Sequence, residues 1–577
     1  MKKSWFSLFA VVIIALSVVS ARFYYSPYGN GYGMKVTTSD ALGYYMYLPG
    51  IFIYKDVTQL KWHEEIENKY HVTGAPTPYQ FLKEENGNYV FNYLGGVAIL
   101  QLPFFLVAHQ IALNSHYLAD GFSPPYQWAL VMALAFYCIL GIAILRLVLL
   151  RYFSDQITGI TLLLVVFATN VIQYTSADSA QCHIYLLPLI SIVLYASMRW
   201  HEEPKMKWAA LAGWAIGLAT MARPTEAILI FIPIFWGTQT KEMAAQKWAI
   251  VKKYRKHAYL AAIMGFIGVL PQLIYWKYSY GSWIYDPGSK WTFLLPWFRV
   301  LIGFEKGWFI YTPITIFFIV GMFYIKNFPF RKAVLWFGLC NIYIIISHFD
   351  WRYGGSYSTR ALSQATVVYA LPFAAFLTQA FQTKWKWVLS VVLVYLTALN
   401  LFQVYQYNIG VLHFDHMNAR YYASIYWDED PSALKASLMD TDEYIYFPDN
   451  YSRTELYKLD TSIEIYAENA ANQYIAEVSL SELKIDKEYW IQVNCNIKTN
   501  EGFGNSYIYV SWENGSELKE RKIRLFRPRT GSENRNDYSF YFQIPEDNRN
   551  GMFKVALAPD NKIQGKLHKL KLELLTK

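Results

Sequence analysis

The stretch YQWALVMALAFYCILGIAILRLV, residues 126–148, decides the fold class of this chain. Its one charged residue, Arg146, lies close to the end of the stretch. A helix of this length rises about 1.5 Å per residue and is long enough to cross the apolar core of a bilayer. The stretch therefore predicts a membrane-spanning helix.

Similar apolar runs recur along the first two thirds of the sequence. Together with the stretch quoted above, they predict about eleven spanning helices. The other runs are 5–21, 157–173, 184–199, 208–222, 225–238, 258–276, 308–325, 333–347, 363–381 and 387–405. This part of the fold is thus expected to be an α-helical polytopic membrane protein.

The first run, residues 5–21, follows Met1-Lys2-Lys3 and has two interpretations. It fits a signal peptide with a small-residue cleavage site at Val19-Ser20-Ala21. It also fits a retained first spanning helix, because roughly 17 apolar residues are just enough to span. We favour the retained helix, and either interpretation places Arg22 outside the cytoplasm.

A further run, residues 93–113, contains Pro103, His109 and Gln110 and fits either a spanning helix or an amphipathic helix on the membrane surface. The positions of Lys and Arg distinguish the two. If the run lies on the outer surface, the cytoplasmic loops hold more than twice as many Lys and Arg residues as the later outer loops, as the positive-inside rule requires. If the run spans, that bias inverts. We therefore expect a surface helix, a cytoplasmic N-terminus and an extracytoplasmic C-terminal domain in a cell (inner) membrane.

After residue 406 the sequence changes to dense Asp, Glu, Lys and Asn with short alternating segments. These segments predict strands at 474–480, 489–497, 506–512, 538–544, 552–558 and 567–574. Turn clusters such as 513–516 and 545–551 separate them, and the pattern predicts an antiparallel, jelly-roll-like β-sandwich. The predicted organisation is a membrane module at 1–405 with an outer loop at 22–125, a linker at 406–443 and the sandwich at 444–577.

The composition agrees with this organisation. The chain is 54% hydrophobic and 16% charged, whereas a soluble protein is about one quarter charged. The net charge of +9 lies largely in short loops such as 247–256, so we expect no nucleic-acid partner. The four cysteines, Cys138, Cys182, Cys340 and Cys495, form neither a CxxC motif nor a disulfide framework.

Asp40 is the first candidate for chemistry, because it follows the first helix and precedes a string of aromatic and apolar residues. A carboxylate at the membrane surface can act as general base toward a hydroxyl. The alternative is a helix N-cap, a role that Thr38, Ser39 and Asp40 all suit. The sequence alone leaves the two interpretations open.

Asp178 and His183 stand in the second outer loop, at the start of a spanning helix. Helix capping and interface contact would explain them structurally. With Asp40 they are candidates for a second acid/base pair, for acceptor contacts or for a divalent metal site. We expect no metal and no cofactor, and the divalent metal is the alternative.

Three arginines at membrane depth are candidates for holding a phosphate. Arg352 and Arg360 flank a Gly-Gly pair, and arginine grips phosphate with a bidentate fork. Arg223, with Glu226, interrupts an almost continuous apolar stretch. Headgroup snorkelling is the alternative for Arg352 and Arg360, and a mutual ion pair is the alternative for Arg223 and Glu226.

The order and sidedness of these features resemble the GT-C superfamily of membrane glycosyltransferases, relatives of the aminoarabinose transferases and protein O-mannosyltransferases. The shared features begin with an acid in a long first outer loop, Asp40, and amphipathic helices along the membrane, here including residues 91–109. They continue with a helix that has a basic cytoplasmic end, residues 146–153, and with the Arg-Pro-Thr of residues 223–225.

A further shared feature is the segment Trp351-Arg-Tyr-Gly-Gly-Ser-Tyr-Ser-Thr-Arg360, which resembles the W-x-G-G-x-x-x-x-R-like loop of many bacterial members. The resemblance covers residues 1–405. One departure concerns the first loop, where many mannosyltransferase relatives carry two adjacent acids and this chain has Ala41 after Asp40.

The resemblance implies an inverting glycosyltransferase that moves a hexosyl or pentosyl group from a polyprenyl phosphate or diphosphate to an acceptor hydroxyl at the outer face. By analogy, Asp40 is the base, and Arg352 or Arg360 holds the lipid phosphate. The expected partners are the lipid-linked donor, the bilayer and a lipid, glycan or protein acceptor. The alternatives are a transporter or flippase of lipid-linked substrates, and a membrane-anchored carbohydrate-binding or assembly protein.

Overall fold

The computed structural model describes most of the chain, including nearly all of the predicted membrane module. The described residues are 4–25, 36–75, 77–178, 180–288, 290–459, 461–467, 473–480, 488–499, 506–525, 536–545, 551–558 and 563–577. Parts of the predicted outer loop, residues 26–35, and of the predicted turn at 545–551, residues 546–550, lie outside this set. The chain divides into two compact units, Met1–Val404 and Tyr405–Lys577.

The first unit is built from helices. They are α1 (Trp5–Tyr25), α2 (Asp40–Tyr45), α3 (Tyr47–Phe52), α4 (His63–Tyr70), α5 (Gly96–Leu113), α6 (Pro124–Tyr152), α7 (Asp155–Phe167), α8 (Val171–Ser176), α9 (Cys182–Glu202), α10 (Met206–Ala222), α11 (Phe231–Phe235), α12 (Lys241–Lys253), α13 (Arg255–Ser279), α14 (Arg299–Ile302), α15 (Trp308–Tyr311), α16 (Thr315–Gly321), α17 (Arg331–Ile346), α18 (Thr366–Ala380) and α19 (Lys386–Asn408). The described part of this unit also contains two 3₁₀ segments, Pro224–Ile230 and Arg360–Leu362, and a small antiparallel hairpin of β1 (Phe81–Lys83) and β2 (Tyr89–Phe91).

Six helices among the described residues are long and apolar enough to cross a membrane, judged by length and composition: α1, α5, α6, α9, α13 and α19. This confirms the helical, membrane-protein class. The other predicted runs form shorter helices, because several are interrupted. Residues 308–325, for example, break around Pro313 into α15 and α16. Helix α5 has the length and hydropathy of a span, so its placement on the membrane surface stays a prediction.

The first helix packs as an integral part of its unit. Helix α1 is continuous through the predicted cleavage site and contacts α6, α7 and α8. The carboxylate of Asp155 accepts hydrogen bonds from the backbone N–H groups of Phe6 and Ser7, at 2.9 and 3.0 Å, and so caps the start of α1. At the other end, the buried Arg22 donates to the carbonyl groups of residues 176–178. Retention of this helix stays a prediction.

The second unit is rich in strands, and its described part contains β3 (Ser452–Leu459), β4 (Ile463–Ala467), β5 (Gln473–Leu480), β6 (Tyr489–Thr499), β7 (Tyr507–Asn514), β8 (Glu517–Arg524), β9 (Asp537–Gln543), β10 (Gly551–Ala558) and β11 (Ile563–Thr576). One antiparallel sheet has the order β5-β10-β7-β8. The other has the order β3-β11-β6-β9, with β4 also paired to β11. This alternation of strands between two sheets is the order of a jelly roll.

The two sheets enclose one apolar core, which confirms the predicted β-sandwich. Ile491 and Val493 of β6 contribute to this core together with Val510 and Trp512 of β7. The stretch predicted as a linker, 406–443, belongs to this same unit and holds the short helices α20 (Ala419–Ser424) and α21 (Ala433–Ser437). Its final residues are fastened by ion pairs to β8, Glu443 with Lys519 at 2.6 Å and Asp440 with Arg524 at 2.5 Å.

Candidate active site

Asp40 begins α2 and directs its carboxylate to residues from distant parts of the chain. Its Oδ1 accepts hydrogen bonds from the hydroxyls of Tyr93 at 2.6 Å and Tyr79 at 3.0 Å. Its Oδ2 accepts from Nη2 of Arg360 at 2.6 Å, which forms an ion pair. The neighbouring Ser39 holds the N-cap position, and within the described residues its side chain makes no capping hydrogen bond. The Asp40 carboxylate is therefore engaged with side chains at the predicted site and not with the backbone of its own helix.

The backbone just before Asp40 is strained. Ser39 has φ 54°, a conformation that residues other than glycine adopt rarely. Its N–H donates to the carbonyl of Val72 at 3.2 Å, so a contact with the following part of the loop holds it there. Strain of this kind persists where surrounding structure over-determines it, and it clusters at functional sites.

The two tyrosines reach Asp40 from either side of the β1–β2 hairpin. Tyr79 precedes β1, and Tyr93 lies between β2 and α5. The start of α5 is fixed because the N–H of Gly95 donates to Oε1 of Gln272 at 2.8 Å. A Cβ on Gly96 would lie 2.3 Å from the backbone nitrogen of Ala222, so the helix packs directly against the end of α10. Glycine is thus required where α5 meets the residue before Arg223.

Arg360 is held in place by the segment that leads to it. The carbonyl of Tyr357 accepts from the hydroxyl of Tyr174 at 2.7 Å, and the carbonyl of Thr359 accepts from Nδ2 of Asn170 at 3.2 Å. The Thr359 hydroxyl donates to the carbonyl of Val300 at 2.7 Å. These bonds tie the segment to α14, to α8 and to the residue before α8, and so they fix the backbone from which the Arg360 side chain extends.

The electrostatics of this pair favour two charged groups. Burial alone would raise the pKa of Asp40, but the Arg360 charge and the hydrogen bonds from Tyr93 and Tyr79 outweigh it and hold that pKa below its ordinary value. Burial opposes the charge of Arg360 as well, and the Asp40 carboxylate outweighs burial and raises the Arg360 pKa. The side chains are only 17% and 15% exposed, so solvent screens their attraction weakly.

A second polar group is built around His183 at the start of α9. Its Nδ1 lies 2.9 Å from Oε1 of Gln364, and the Gln364 amide donates to Oε1 of the fully buried Glu226 at 2.9 Å. Arg223 Nη1 lies 3.3 Å from the same imidazole nitrogen. Among the described residues, Arg223 and Glu226 form no direct ion pair, although the charge of each acts on the other.

Tyr44 and Cys182 connect the two groups. Tyr44 follows Asp40 by one helical turn, and it interacts with the thiol of Cys182, the residue before His183. The charges of Asp40 and of Arg223 both act on the Tyr44 hydroxyl and on the Cys182 thiol. The predicted residues Asp40, Arg360, Arg223 and His183 therefore belong to one neighbourhood.

The structure separates the two remaining candidates, because the charge of Asp178 acts on Arg360 whereas Arg352 pairs with Glu305. Asp178 lies near two arginines, since its charge acts on both Arg22 and Arg360, and its carbonyl accepts from Arg22 at 3.2 Å. Arg352 is 46% exposed, pairs with Glu305 at 2.5 Å and stacks over the ring of Trp351. Arg360 thus contacts Asp40, whereas Arg352 lies at the surface, although the two arginines belong to one loop.

Within the described ranges, no group of three or more His, Cys, Asp or Glu side chains is arranged to hold a metal ion. The side chains that converge around Asp40 and Arg223 include tyrosine hydroxyls, an imidazole and two guanidinium groups. Such a set can accept a proton from a hydroxyl and can bind a phosphate close to the acceptor of that proton.

Sequence reasoning did not single out Tyr79, Tyr93, Tyr44 or Gln364. The signal for Tyr93 was weak, because it opens the apolar run at 93–113 and looks like an interfacial aromatic residue. Gln364 follows Arg360 by four residues, the spacing that brings side chains together on one face of a helical turn. That spacing was the available clue for Gln364.

Residues 122–276 match the family model of dolichyl-phosphate-mannose-protein mannosyltransferases. The predicted GT-C resemblance is confirmed. The match covers α6 to α13, so it includes His183 and Arg223 and leaves out Asp40 and Arg360. A comparison with curated protein sequences gives no match.

Two solved structures are similar to part of this chain. ArnT from Cupriavidus metallidurans bound to undecaprenyl phosphate aligns with 74% of this chain and 69% of its own, at 14% identity and a TM-score of 0.42. The archaeal oligosaccharyltransferase AglB from Archaeoglobus fulgidus, in complex with an inhibitory peptide and a dolichol-phosphate, aligns with 74% of this chain and 58% of its own, at 14% identity and a TM-score of 0.39. The alignment thus spans less than two thirds of AglB.

Proposed function

We propose that this chain is an inverting glycosyltransferase that transfers a sugar from a polyprenyl phosphate or diphosphate to an acceptor hydroxyl. The observation that carries the proposal is the ion pair between Asp40 Oδ2 and Arg360 Nη2, at 2.6 Å, formed by residues 320 positions apart in sequence. The pair brings together the two groups that this reaction needs, a base for the acceptor and a cation for the departing phosphate.

The proposed reaction is a single displacement at the anomeric carbon. The acceptor oxygen attacks that carbon from one face while its proton passes to the Asp40 carboxylate. The bond from the carbon to the phosphate oxygen breaks on the other face, and its electron pair leaves with the polyprenyl phosphate. Arg360 stabilises the negative charge that develops there, and attack opposite to the leaving group inverts the anomeric configuration.

Other charged residues extend this assignment. Arg223, linked to Asp40 through Tyr44 and Cys182, is proposed as a second cation for the donor phosphate. His183, held by Gln364, and Asp178 are proposed for the acceptor side. With two guanidinium groups available for the phosphate, we propose that the reaction needs no cofactor.

The segment that matches a family model supports the class of donor, because that family is named for dolichyl-phosphate-mannose. The transferred group is proposed as a hexosyl or pentosyl unit, and the acceptor as a lipid, glycan or protein. We place the reaction at the outer face of a cell (inner) membrane, with the N-terminus in the cytoplasm.

Reconstituted protein tests the proposal against its rivals. Vesicles containing the chain receive a panel of radiolabelled polyprenyl-phosphate sugars together with lipid, glycan and protein acceptors from membranes. We expect one sugar to move to an acceptor, with release of polyprenyl phosphate and an inverted anomeric bond. Movement of an intact donor across the vesicle bilayer would indicate a flippase instead, and glycan binding without bond cleavage would indicate a binding protein.

The proposed orientation predicts that Lys577, at the exposed C-terminus, is accessible from outside the cell. In intact cells, Lys577→Cys should react with a membrane-impermeant maleimide, whereas Lys252→Cys in α12 should react only after lysis. The parent protein gives a low background, since Cys138, Cys182 and Cys495 are buried and Cys340 is partly buried. The reverse labelling pattern would invert the topology and remove Asp40 from the outer face.

A further inference from the structure

We propose that Tyr93 is a positioning residue for Asp40 and that Gly43 provides the space in which the Tyr93 ring lies. The inference rests on the proposed function, because it assigns a role toward the base of that reaction. It concerns a tyrosine outside the apolar spans and a glycine one helical turn after the acid.

The hydrogen bonds divide the two oxygens of the carboxylate into different roles. Oδ1 accepts from both Tyr93 and Tyr79, at 2.6 and 3.0 Å, and these bonds occupy its two lone pairs. Oδ2 accepts from Arg360 and keeps one lone pair. Tyr93 therefore orients the carboxylate through Oδ1 and leaves Oδ2 to take the proton of the acceptor.

Gly43 is the reason that Tyr93 can approach so closely. A Cβ at position 43 would lie 2.1 Å from Cδ2 of Tyr93, far closer than two non-bonded carbon atoms can approach. Gly43 follows Asp40 by three residues, so both lie on the same side of α2. The Tyr93 ring lies against Gly43 and makes an edge-to-face contact with the Tyr44 ring, with the ring centroids 4.8 Å apart.

The backbone of Tyr93 is also fixed. Its carbonyl accepts from the hydroxyl of Tyr47 at 2.7 Å, and two residues later Gly95 donates to Gln272. Because the backbone and the ring of Tyr93 are both held, its hydroxyl lies next to Oδ1 of Asp40. The position of α5 therefore determines, through Tyr93, how the Asp40 carboxylate is oriented.

The pKa of Asp40 depends on the hydrogen bond from Tyr93. Arg360, Tyr93 and Tyr79 contact the carboxylate directly, and Tyr44, Cys182 and His183 interact with it at longer range. A hydroxyl that donates to a carboxylate stabilises the charged form and lowers its pKa. Removal of the Tyr93 hydroxyl therefore raises the Asp40 pKa, and activity is lost at a higher pH as the solution is acidified.

Tyr93→Phe tests the proposal through the pH dependence of transfer in the full-length protein. We expect the acidic limb of the kcat profile to move up by about one pH unit, which corresponds to the loss of one hydrogen bond to a charged group. We also expect the plateau value of kcat to fall about tenfold, because the Asp40 carboxylate is no longer oriented by Tyr93. Tyr45→Phe is the matched control on the same helix. Its hydroxyl bonds the carbonyl of Gly121, so its acidic limb should coincide with that of the parent.

Gly43→Ala supplies a second variant that leaves the tyrosine intact. Alanine normally favours a helix over glycine, so a loss here would come from the collision with the ring. We expect its acidic limb to shift in the same direction as that of Tyr93→Phe, and the double variant to shift no further. A Tyr93→Phe profile that falls equally at every pH, or matches the parent, would overturn the inference.

The failure of this inference is distinguishable from the failure of the proposed function. If Asp40→Asn is inactive and Tyr93→Phe leaves the acidic limb in place, Asp40 remains the base and the role of Tyr93 is wrong. If Asp40→Asn transfers sugar at the parent's rate, both assignments are wrong. Thermal unfolding of each detergent-purified variant shows whether it is folded before the profiles are compared.

Discussion

Asp40→Asn is expected to lower sugar transfer by about a hundred- to ten-thousand-fold, the usual cost of a lost general base. Asparagine has nearly the same size, and its Oδ1 can still accept from Tyr79 and Tyr93. Its amide nitrogen cannot take a proton and cannot balance the charge of Arg360. The released guanidinium stays available to phosphate, so donor binding should be at least as tight as in the parent. The measurements are the initial rate of transfer and the retention of polyprenyl phosphate by the purified variant.

Asp56→Asn is the matched control, because Asp56 lies in the same outer loop and serves a purely local role. Its carboxylate accepts backbone N–H groups of Thr58, Gln59 and Lys61, contacts of a kind that an asparagine side chain can largely maintain. Its transfer rate should match that of the parent. Transfer by Asp40→Asn within a few-fold of the parent would contradict the assignment and make Asp178 the next candidate for the base.

Arg360→Ala is expected to weaken donor binding by about a hundredfold or more, because truncation of one partner of a desolvated charge pair is costly. Arg360→Lys should still weaken it about tenfold, since lysine keeps the charge and loses the bidentate fork. The alanine variant should also raise the pKa of Asp40, which loses the cation that now opposes its protonation. Binding of radiolabelled polyprenyl phosphate to the purified protein measures the first effect separately from catalysis.

The neighbouring Arg352 offers the control. It belongs to the same loop and was an equal candidate from the sequence, yet it faces outward and pairs with Glu305. Arg352→Lys and Arg352→Ala should bind the donor within about twofold of the parent, as expected for an exposed ion pair. Equal losses at both arginines would favour a general attraction of headgroups over a specific phosphate contact at Arg360.

The two arginines also show where sequence reasoning reaches its limit. A charged residue among apolar ones is visible in a sequence, so Asp40, Arg223 and Arg360 could be singled out. The direction of each side chain could not be, because it depends on backbone turns. Between Arg352 and Arg360 the chain passes through Tyr353 at φ 55° and Ser358 at φ 53°, and no rule of composition predicts such turns.

The tyrosines of the site were hidden by their abundance. The chain contains 48 tyrosines, and interfacial anchoring accounts for tyrosines at membrane surfaces in general. Tyr93 differs from the others by its hydrogen bond to Asp40 and its contact with Gly43, and both are tertiary facts. The glycine could have been a clue, since Asp40 and Gly43 are one helical turn apart, but a single glycine carries little information by itself.

In the second unit six of the nine described strands were predicted, and β3, β4 and β8 were not. Strands β5, β6, β7, β9, β10 and β11 coincide with the predicted segments within a few residues. Strand β8, with the sequence ELKERKIR, was missed because it carries so many charges. It lies at the edge of its sheet, where charged side chains are well tolerated and discourage pairing with other chains.

The separation of Asp40 from its partners also sets the order in which the site forms during synthesis. Tyr79 and Tyr93 follow Asp40 by 39 and 53 residues, and Arg360 follows by 320. At about 5–20 residues per second, Arg360 leaves the ribosome roughly 16–64 s after Asp40, and the tyrosines follow within roughly 2–11 s. During synthesis of residues 94–359, the chain contains both hydroxyl donors of Asp40 but not its counter-ion. Arg360 is thus the last of the three partners of Asp40 to be synthesised, and the site is complete only after it emerges.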